Sequence, residues 1–337
     1  MLVCDHERYL KQSIDSILNQ TFTDFQFIII SEHGSSVESI QAIKTFADPR
    51  IIHIHNARRM GLVRSRNAAL ENARGEYIAL MDADDVSAPE RLQKQVEFLE
   101  AHSDVGIVGS ALASIDKEDQ VLTEHVSPSG GALTRWRLFF GNPVANPTVM
   151  MRRAVCQQLG GYTTESRYDY GAEDYELWLR AAKMTKIVNL KDILLRYRRH
   201  EGNLTRIHEH EMLENTMVLV QKTLASELDQ NVGLNIVRAL VWPNIVSRAT
   251  DALDAGRVIY ALCLRCIHDP AFMEEETAIR LDATDRLSLL ALAALKTNPL
   301  FAAKISCLIA RLYQKHMRYT AAYAQRCLRF CVTRIIG

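Results

Sequence analysis

Through about its first 200 residues the chain alternates short apolar runs with helically spaced segments, a pattern that constrains it to an α/β sheet covered by helices. Phe25 to Ile30 is apolar except at Gln26 and rich in β-branched residues, as a strand buried on both faces requires. Ile51–Ile54, Tyr77–Met81 and Gly106–Val108 predict further strands. Between them Tyr9, Leu10, Ser13, Ile14, Ile17 and Leu18 keep helical spacing, and a second helix follows Gly61 through Leu70 and ends near Gly75. Ser87-Ala88-Pro89-Glu90 predicts another helix start, with Ser87 as cap, Pro89 in the first turn and Glu90 returning the hydrogen bond. Beyond residue ~200 the strand signals stop. Glu211–Leu228, Val232–Ile245, Ala252–Ile267 and most of Arg286–Ile336 are helically spaced. The expected division is an α/β domain over 1–205 and an all-helical extension over 206–337, with the boundary near Asn203–His210.

Charge and cysteine usage narrow the classes of function. Forty basic and forty acidic residues balance over 337, which argues against a dedicated nucleic-acid binder. The balance is uneven along the chain. Asp285 is the last acidic residue, and Arg286, Lys296, Lys304, Arg311, Lys315, Arg318, Arg326, Arg329 and Arg334 all follow it. Such a basic, amphipathic end fits either an anionic membrane surface or a helix pair packed on protein with its charges solvated. Seven cysteines without a compact framework predict a reducing, cytoplasmic setting. Leu287–Leu295 and Ile305–Leu312, the best apolar runs, are too short to span a bilayer. The Cys263-Leu264-Arg265-Cys266 spacing, with Cys327 and Cys331, resembles a metal set, but its helical context predicts buried thiols. Tyr313, Met317, Tyr319 and Tyr323 are expected to be packing residues.

The Tyr77–Met81 run passes directly into Asp82-Ala83-Asp84-Asp85. Carboxylates crowded at the end of a buried strand repel one another, and the carboxyl ends of strands in open α/β sheets are where ligands collect. Asp82 and Asp84, two apart in a tight turn, can face one hard cation, magnesium or manganese, which takes its remaining ligands from water and phosphate. The bland alternative for an isolated Asp-x-Asp is a solvated turn whose side chains cap backbone N–H groups.

The surrounding segments give the acidic turn a family context. Tyr9-Leu10…Ser13-Ile14…Ser16-Ile17-Leu18-Asn19-Gln20-Thr21, Met60-Gly61-Leu62…Arg66-Asn67, Ala73-Arg74-Gly75-Glu76-Tyr77-Ile78-Ala79 and the acidic turn itself occur in that order. Asn142-Pro143, Pro147-Thr148-Val149-Met150, Gly160-Gly161-Tyr162 and Glu173-Asp174-Tyr175-Glu176-Leu177-Trp178-Leu179-Arg180 follow. Together these resemble the inverting glycosyltransferases of family 2 over residues 1–205. The resemblance implies a GT-A-type, Rossmann-like mixed sheet flanked by helices, with the all-helical extension behind it. It implies a nucleotide-sugar donor, UDP-linked by default, and a glycan or lipid-linked acceptor, in bacterial surface polysaccharide synthesis. Asp84 would ligate the metal, Asp82 would touch the metal or the donor ribose, and Asp174 would be the general base of a single displacement.

The resemblance also has gaps. The first strand is cut to Met1-Leu2-Val3, and Cys4-Asp5 replaces the family's Tyr-Asn, so the true start is expected upstream or the chain is a truncated allele. In the turn after the second strand, Ser31-Glu32-His33-Gly34 offers Glu32 as the nearest match to the Asp that contacts base or ribose. Arg66, near a helix start, is expected to reach the diphosphate with its planar fork or to lie, like Arg64, on a solvated face. His200 resembles a position near metal or phosphate, against the alternative of a surface loop. Arg135-Trp136 lacks the Gln of the processive signature, so one sugar per encounter is expected. The rival readings are an inactive relative serving as a binding or scaffold subunit and a sugar nucleotidyltransferase. For the latter, the glycine-rich N-terminal loop is missing.

Overall fold

The structure, a computed structural model, describes residues 1–4 and 7–313. They separate into two compact units, Met1–Thr216 and a second from Met217 onward.

The first unit opens with β1 (Leu2–Val3), α1 (Glu7–Leu18), β2 (Phe27–Ser31), α2 (Val37–Lys44) and β3 (Ile51–His55). Then come α3 (Leu62–Asn72), β4 (Tyr77–Ala79), β5 (Val86–Ser87), α4 (Arg91–Ala101) and β6 (Val105–Ile115). Next are β7 (Val121–His125), α5 (Gly131–Arg137), β8 (Met150–Arg152), α6 (Arg153–Leu159), α7 (Glu173–Ala181) and β9 (Lys186–Arg198). α8 (Leu204–Ile207) and the start of α9 (Glu209–Leu228) close the unit.

β1, β2 and β3 form a parallel sheet with β2 in the middle, and every residue of β2 is buried, as its apolar run requires. The second sheet runs β4-β8-β6-β9-β5, with β7 beside β6. A parallel bridge from Leu2 to Asp82 joins the two sheets, so the acidic turn begins where β1 meets the extension of β4. α1 packs Leu10, Ile14 and Ile17 against Val3, Phe27, Ile29 and Met81, the core directly beneath that turn.

The helix after the acidic turn differs from the expectation. It starts at Arg91, and no side chain caps it locally. Ser87 belongs to β5, and its hydroxyl lies 3.2 Å from Gln20 Nε2. Gln20 supplies the cap from a distance: its Oε1 accepts from Leu92 N at 3.0 Å while Nε2 donates to Ala88 O at 2.7 Å. A long-range amide satisfied both partners, so the local capping box was not needed. β6 is also far longer than the predicted strand, and β9, at 13 residues, was missed. The charged positions of β9 interrupt its apolar pattern, and its pairing with β6 overrides them.

The second unit is helical. α10 (Leu234–Val241), α11 (Ala249–Ile267), α12 (Glu276–Leu295) and α13 (Pro299–Tyr313) follow the end of α9. Gly256 lets α11 approach closely: a Cβ there would sit 3.4 Å from Leu287 and 3.5 Å from Leu308. Cys263 and Cys266 are buried within α11, and burial pushes the Cys263 thiol up to about 12, which leaves it inert. Tyr313 is buried with its hydroxyl 3.0 Å from Thr284, a packing residue as expected. Cys327, Cys331, Met317, Tyr319, Tyr323 and the basic residues Lys315, Arg318, Arg326, Arg329 and Arg334 lie outside the described residues, as does Asp5. Of the earlier basic residues, Arg286 pairs with Asp282 at 2.7 Å, and Lys296, Lys304 and Arg311 are exposed. No helix among the described residues is long and apolar enough to cross a membrane.

Candidate active site

Asp82, Asp84 and Asp85 differ in what surrounds them. Asp82 follows β4, its backbone carbonyl accepting from Ser13 Oγ of α1 at 3.0 Å. Its carboxyl is raised from the ordinary range by burial, opposed by Arg66 and reinforced by Asp84 and Glu173. Asp84 is 8% exposed, and its Oδ2 accepts from His200 at 2.9 Å and from Asn203 Nδ2 at 3.0 Å. His200 Nδ1 accepts from Gly202 N at 3.1 Å, so the neutral ring carries its proton on Nε2 and donates to Asp84. His200 is therefore no surface loop residue. Tertiary folding carries it across 116 positions to the acidic turn.

Asp85 is fully buried. Its Oδ1 accepts from Arg198 N at 2.9 Å, and Oδ2 has no partner among the described residues. Burial first, then Asp84 and Asp82, push its carboxyl well above the ordinary range. Beneath it lies Arg91, also fully buried, donating to Leu80 O at 2.7 Å and held at about 10 by burial against the pull of Asp85 and Asp82.

Sequence reasoning missed the residue that ties this turn together. Arg198, at the end of β9 and 1% exposed, donates from Nε to Asp84 O at 2.9 Å and from Nη2 to Gln12 Oε1 at 2.8 Å. Nη1 reaches Asp116 O at 3.1 Å, Nη2 pairs with Asp119 at 2.7 Å, and the guanidinium lies 4.3 Å from the Tyr9 ring centre. These partners come from α1, the acidic turn and the β6–β7 turn. Only their lying around one buried cation could have signalled it. Arg198→Ala leaves those acceptors without their donor, so unfolding in urea is expected to lose about 3 kcal/mol of stability.

Arg66 provides the other link. Its side chain is 16% exposed, which rules out the solvated face, whereas Arg64 is exposed. Nη1 donates to Glu173 Oε1 in a short contact, and Nη2 lies 3.4 Å from Asp82 Oδ1. Glu173 and Asp174 are the first residues of α7, which begins after Gly171 (φ 119°) and the left-handed Ala172 (φ 66°). Left-handed backbone at a non-glycine residue is unfavourable, and Ala172 adopts it while buried. Asp174 is partly exposed. Its Oδ1 accepts from Tyr175 N at 2.7 Å, and Oδ2 accepts from Asn142 Nδ2 at 2.9 Å. Its carboxyl is raised to about 7 by burial and by Glu173, against the lowering effect of Arg66 and these two hydrogen bonds.

Asn67 fastens α3 to the segment before α7, donating to Tyr162 O at 2.8 Å and accepting from Tyr162 N at 2.9 Å. Gly161, at φ +73°, makes that approach possible, since a Cβ there would sit 2.6 Å from Asn67 Oδ1. Gly161→Ala is expected to reduce unfolding free energy by about 2 kcal/mol in a denaturant titration.

Glu32 points inward. It is 5% exposed, with Oε1 accepting from Asn56 Nδ2 at 2.9 Å and from Ser65 Oγ, and Oε2 accepting from Met60 N at 2.8 Å. Its carboxylate thus fastens the turn after β3 to the start of α3. A cavity of about 720 Å³ is lined by Arg66, Asp82, Asn146 and Tyr162, together with apolar residues of β2 and β4.

The chain matches the family model of glycosyl transferase family 2 over residues 1–160. An uncharacterised glycosyltransferase of Methanocaldococcus jannaschii is 34% identical over 61% of this chain and 72% of its own length. The O-antigen biosynthesis glycosyltransferase WbnJ of Escherichia coli is 33% identical over 59% of this chain and 78% of its own. Among solved structures, S. aureus TarS with UDP-GlcNAc aligns at a TM-score of 0.54 and 15% identity over 93% of this chain and 88% of that one. The mannosyltransferase PcManGT of Pyrobaculum calidifontis, with GDP-Man and Mn2+, aligns at 0.51 and 16% identity over 94% and 87%.

Proposed function

Because the chain belongs to glycosyl transferase family 2 and has the GT-A fold of its structural neighbours, we propose that it transfers a sugar from a nucleotide diphosphate to an acceptor hydroxyl with inversion. The observation that carries this reading is Arg66. One guanidinium joins Asp82, the donor-side carboxylate, to Glu173, the neighbour of Asp174, which lies 107 positions along the chain from Arg66. A nucleotide phosphate held near Arg66 and Asp82 would place its sugar toward the start of α7.

A divalent cation is the cofactor that this family implies, and the donor set fits one. The hydrogen bonds to Asp84 fall on Oδ2 and the contact to Asp82 on Oδ1, which leaves an oxygen of each for a hard ion. Among the described residues no group of three or more His, Cys, Asp or Glu is arranged to hold a metal. Two carboxylates with water and substrate phosphates are a usual donor set for magnesium or manganese. Bound there, the ion would neutralise charge on the departing diphosphate.

The chain's own groups supply the rest. Asp174 takes the proton as the acceptor oxygen attacks the anomeric carbon, and the bond from that carbon to the diphosphate breaks on the opposite face. Asn142 holds the Asp174 carboxylate in position, and a value near 7 keeps it both basic and ionisable at neutral pH. Arg66 contributes positive charge on the diphosphate side, and Glu32 serves the nucleotide by fixing the turn at Asn56–Met60. We assign UDP as the first donor nucleotide to test and a glycan or lipid-linked glycan as acceptor. WbnJ and the Erwinia amylovora amylovoran biosynthesis glycosyltransferase AmsE support a role in surface polysaccharide synthesis. We place this work in the cytoplasm, with peripheral contact to anionic membrane through the basic C-terminal segment.

Calorimetric titration with UDP, GDP and dTDP, in manganese or in chelator, tests the reading. One nucleotide is expected to bind in manganese and to lose its affinity in chelator. Failure of all three to bind the folded protein would favour a scaffold subunit instead.

A further inference from the structure

Just ahead of α7, a segment outside every motif above controls how Asp174 is presented. A 3-10 turn over Ser166–Tyr170 leads into Gly171 and Ala172, and α7 begins at the next residue. This turn is anchored at its middle by the buried Tyr168. Tyr168 N donates to Glu165 O at 2.9 Å and Gly171 N to Tyr168 O at 3.3 Å, while Ser166 and Arg167 are exposed. Its two ends are held by one side chain from α9. Asn215 Nδ2 donates to Arg167 O at 2.8 Å and to Gly171 O at 3.2 Å, and Asn215 is 8% exposed. Met212, one turn earlier on the same helix, closes over the glycine. A Cβ at Gly171 would sit 3.1 Å from Met212 Cβ.

We propose that Asn215 is a positioning residue for the transfer, bracing the Arg167–Gly171 turn so that Ala172 stays left-handed and α7 presents Asp174 to the acceptor hydroxyl. This deepens the proposed function and rests on Asp174 as the base. The physical reason is that both amide hydrogens of Asn215 are spent on carbonyls of the same turn. One rigid group thereby fixes the spacing of its two ends. Without that brace, Ala172 can relax toward ordinary helical or extended backbone, which swings the first residues of α7. Catalytic geometry is sensitive on this scale, since misplacing a reacting group by about 1 Å can lower a rate about a hundredfold.

The experiment compares Asn215→Ala and the isosteric Asn215→Asp, which keeps the volume and removes both donors, with wild type and Asp174→Asn. Donor nucleotide affinity should stay within about twofold, because Arg66, Asp82 and Asp84 are untouched, and kcat should fall by about tenfold or more. The kcat–pH profile gives a readout that lost packing alone would not move. Asp174 faces Glu173 on its own helix, Arg66 on α3, Tyr162 between α6 and α7, and Asn142 after α5. Loosening the turn admits water, so the acidic limb should lie at lower pH than in wild type.

Unchanged kcat in folded Asn215→Asp overturns the proposal. So does a loss of kcat matched by a loss of donor affinity with the acidic limb unmoved. Should both Asn215 variants fail to fold, Met212→Ala tests the same brace, with the same shift expected and the same results against it. If Asp174→Asn retains full activity, the base assignment itself fails, whatever Asn215 does.

Discussion

Asp174→Asn is expected to lower kcat by about a thousandfold while donor nucleotide affinity stays within about twofold, as removal of a general base does. The amide keeps the shape of the carboxylate and an acceptor oxygen for Tyr175 N, and it gives up only the hydrogen bond from Asn142, so lost packing is a small part of the effect. The pH dependence follows from the same carboxyl. Burial and Glu173 raise it to about 7. Activity of the wild type should therefore climb as pH rises through about 7, where the base becomes ionised.

Stability should move the other way. A carboxyl with a folded value above its unfolded one binds its proton more tightly in the folded protein. Its stabilising contribution is complete below the ordinary carboxylate range and is lost as pH rises through about 7. The amide introduced by Asp174→Asn has no proton to lose, so the variant should melt above wild type at pH ~8, and the gap should narrow toward pH ~5. Thermal melts at the two pH values, beside steady-state kinetics, check both halves. Wild-type kcat in the variant would remove Asp174 from the chemistry.

Asp84→Ala is expected to weaken manganese-dependent nucleotide binding by about a hundredfold or more, because it removes one of the two carboxylates available to the ion. A second effect comes with it. His200 Nε2 and Asn203 Nδ2 both donate to Asp84, and truncation leaves them facing an empty space. That costs about 1–3 kcal/mol of stability. Asp84→Asn separates the effects, since it retains an acceptor oxygen for the two donors but lowers the charge that an ion needs. Calorimetry with manganese on both variants is the measurement. Equal binding by wild type and Asp84→Asn would make Asp84 a structural acceptor for the loop after β9 and exclude it as a ligand.

The parts of this protein that a sequence can encode locally were legible. The apolar runs of β2 and β3 and the helical spacing of α1, α3 and α11 carry their own periodicity, so the α/β character and the helical end could be read directly. The acidic turn was legible for a similar reason: carboxylates at the end of a buried strand are conspicuous in one dimension. Resemblance to a family added Asp174 and its helix. The capping at Ser87 failed because Gln20 intervened from another element, and β9 failed because pairing with β6 outweighed its own mixed composition.

Sequence alone thus determined the α/β character, the helical end and which residue types carry the chemistry, because short-range periodicity and charge spacing are properties of neighbours along the chain. Only the tertiary structure decided how each carboxylate behaves. It turned Glu32 inward onto Asn56, Ser65 and Met60, buried Asp85 against Arg198, set His200 on Asp84, and joined Asp82 to Glu173 through Arg66. Each of those outcomes depends on burial and on a charge brought from far along the chain. Solvation and Coulomb energy depend on distance in space, and separation along the chain does not report that distance.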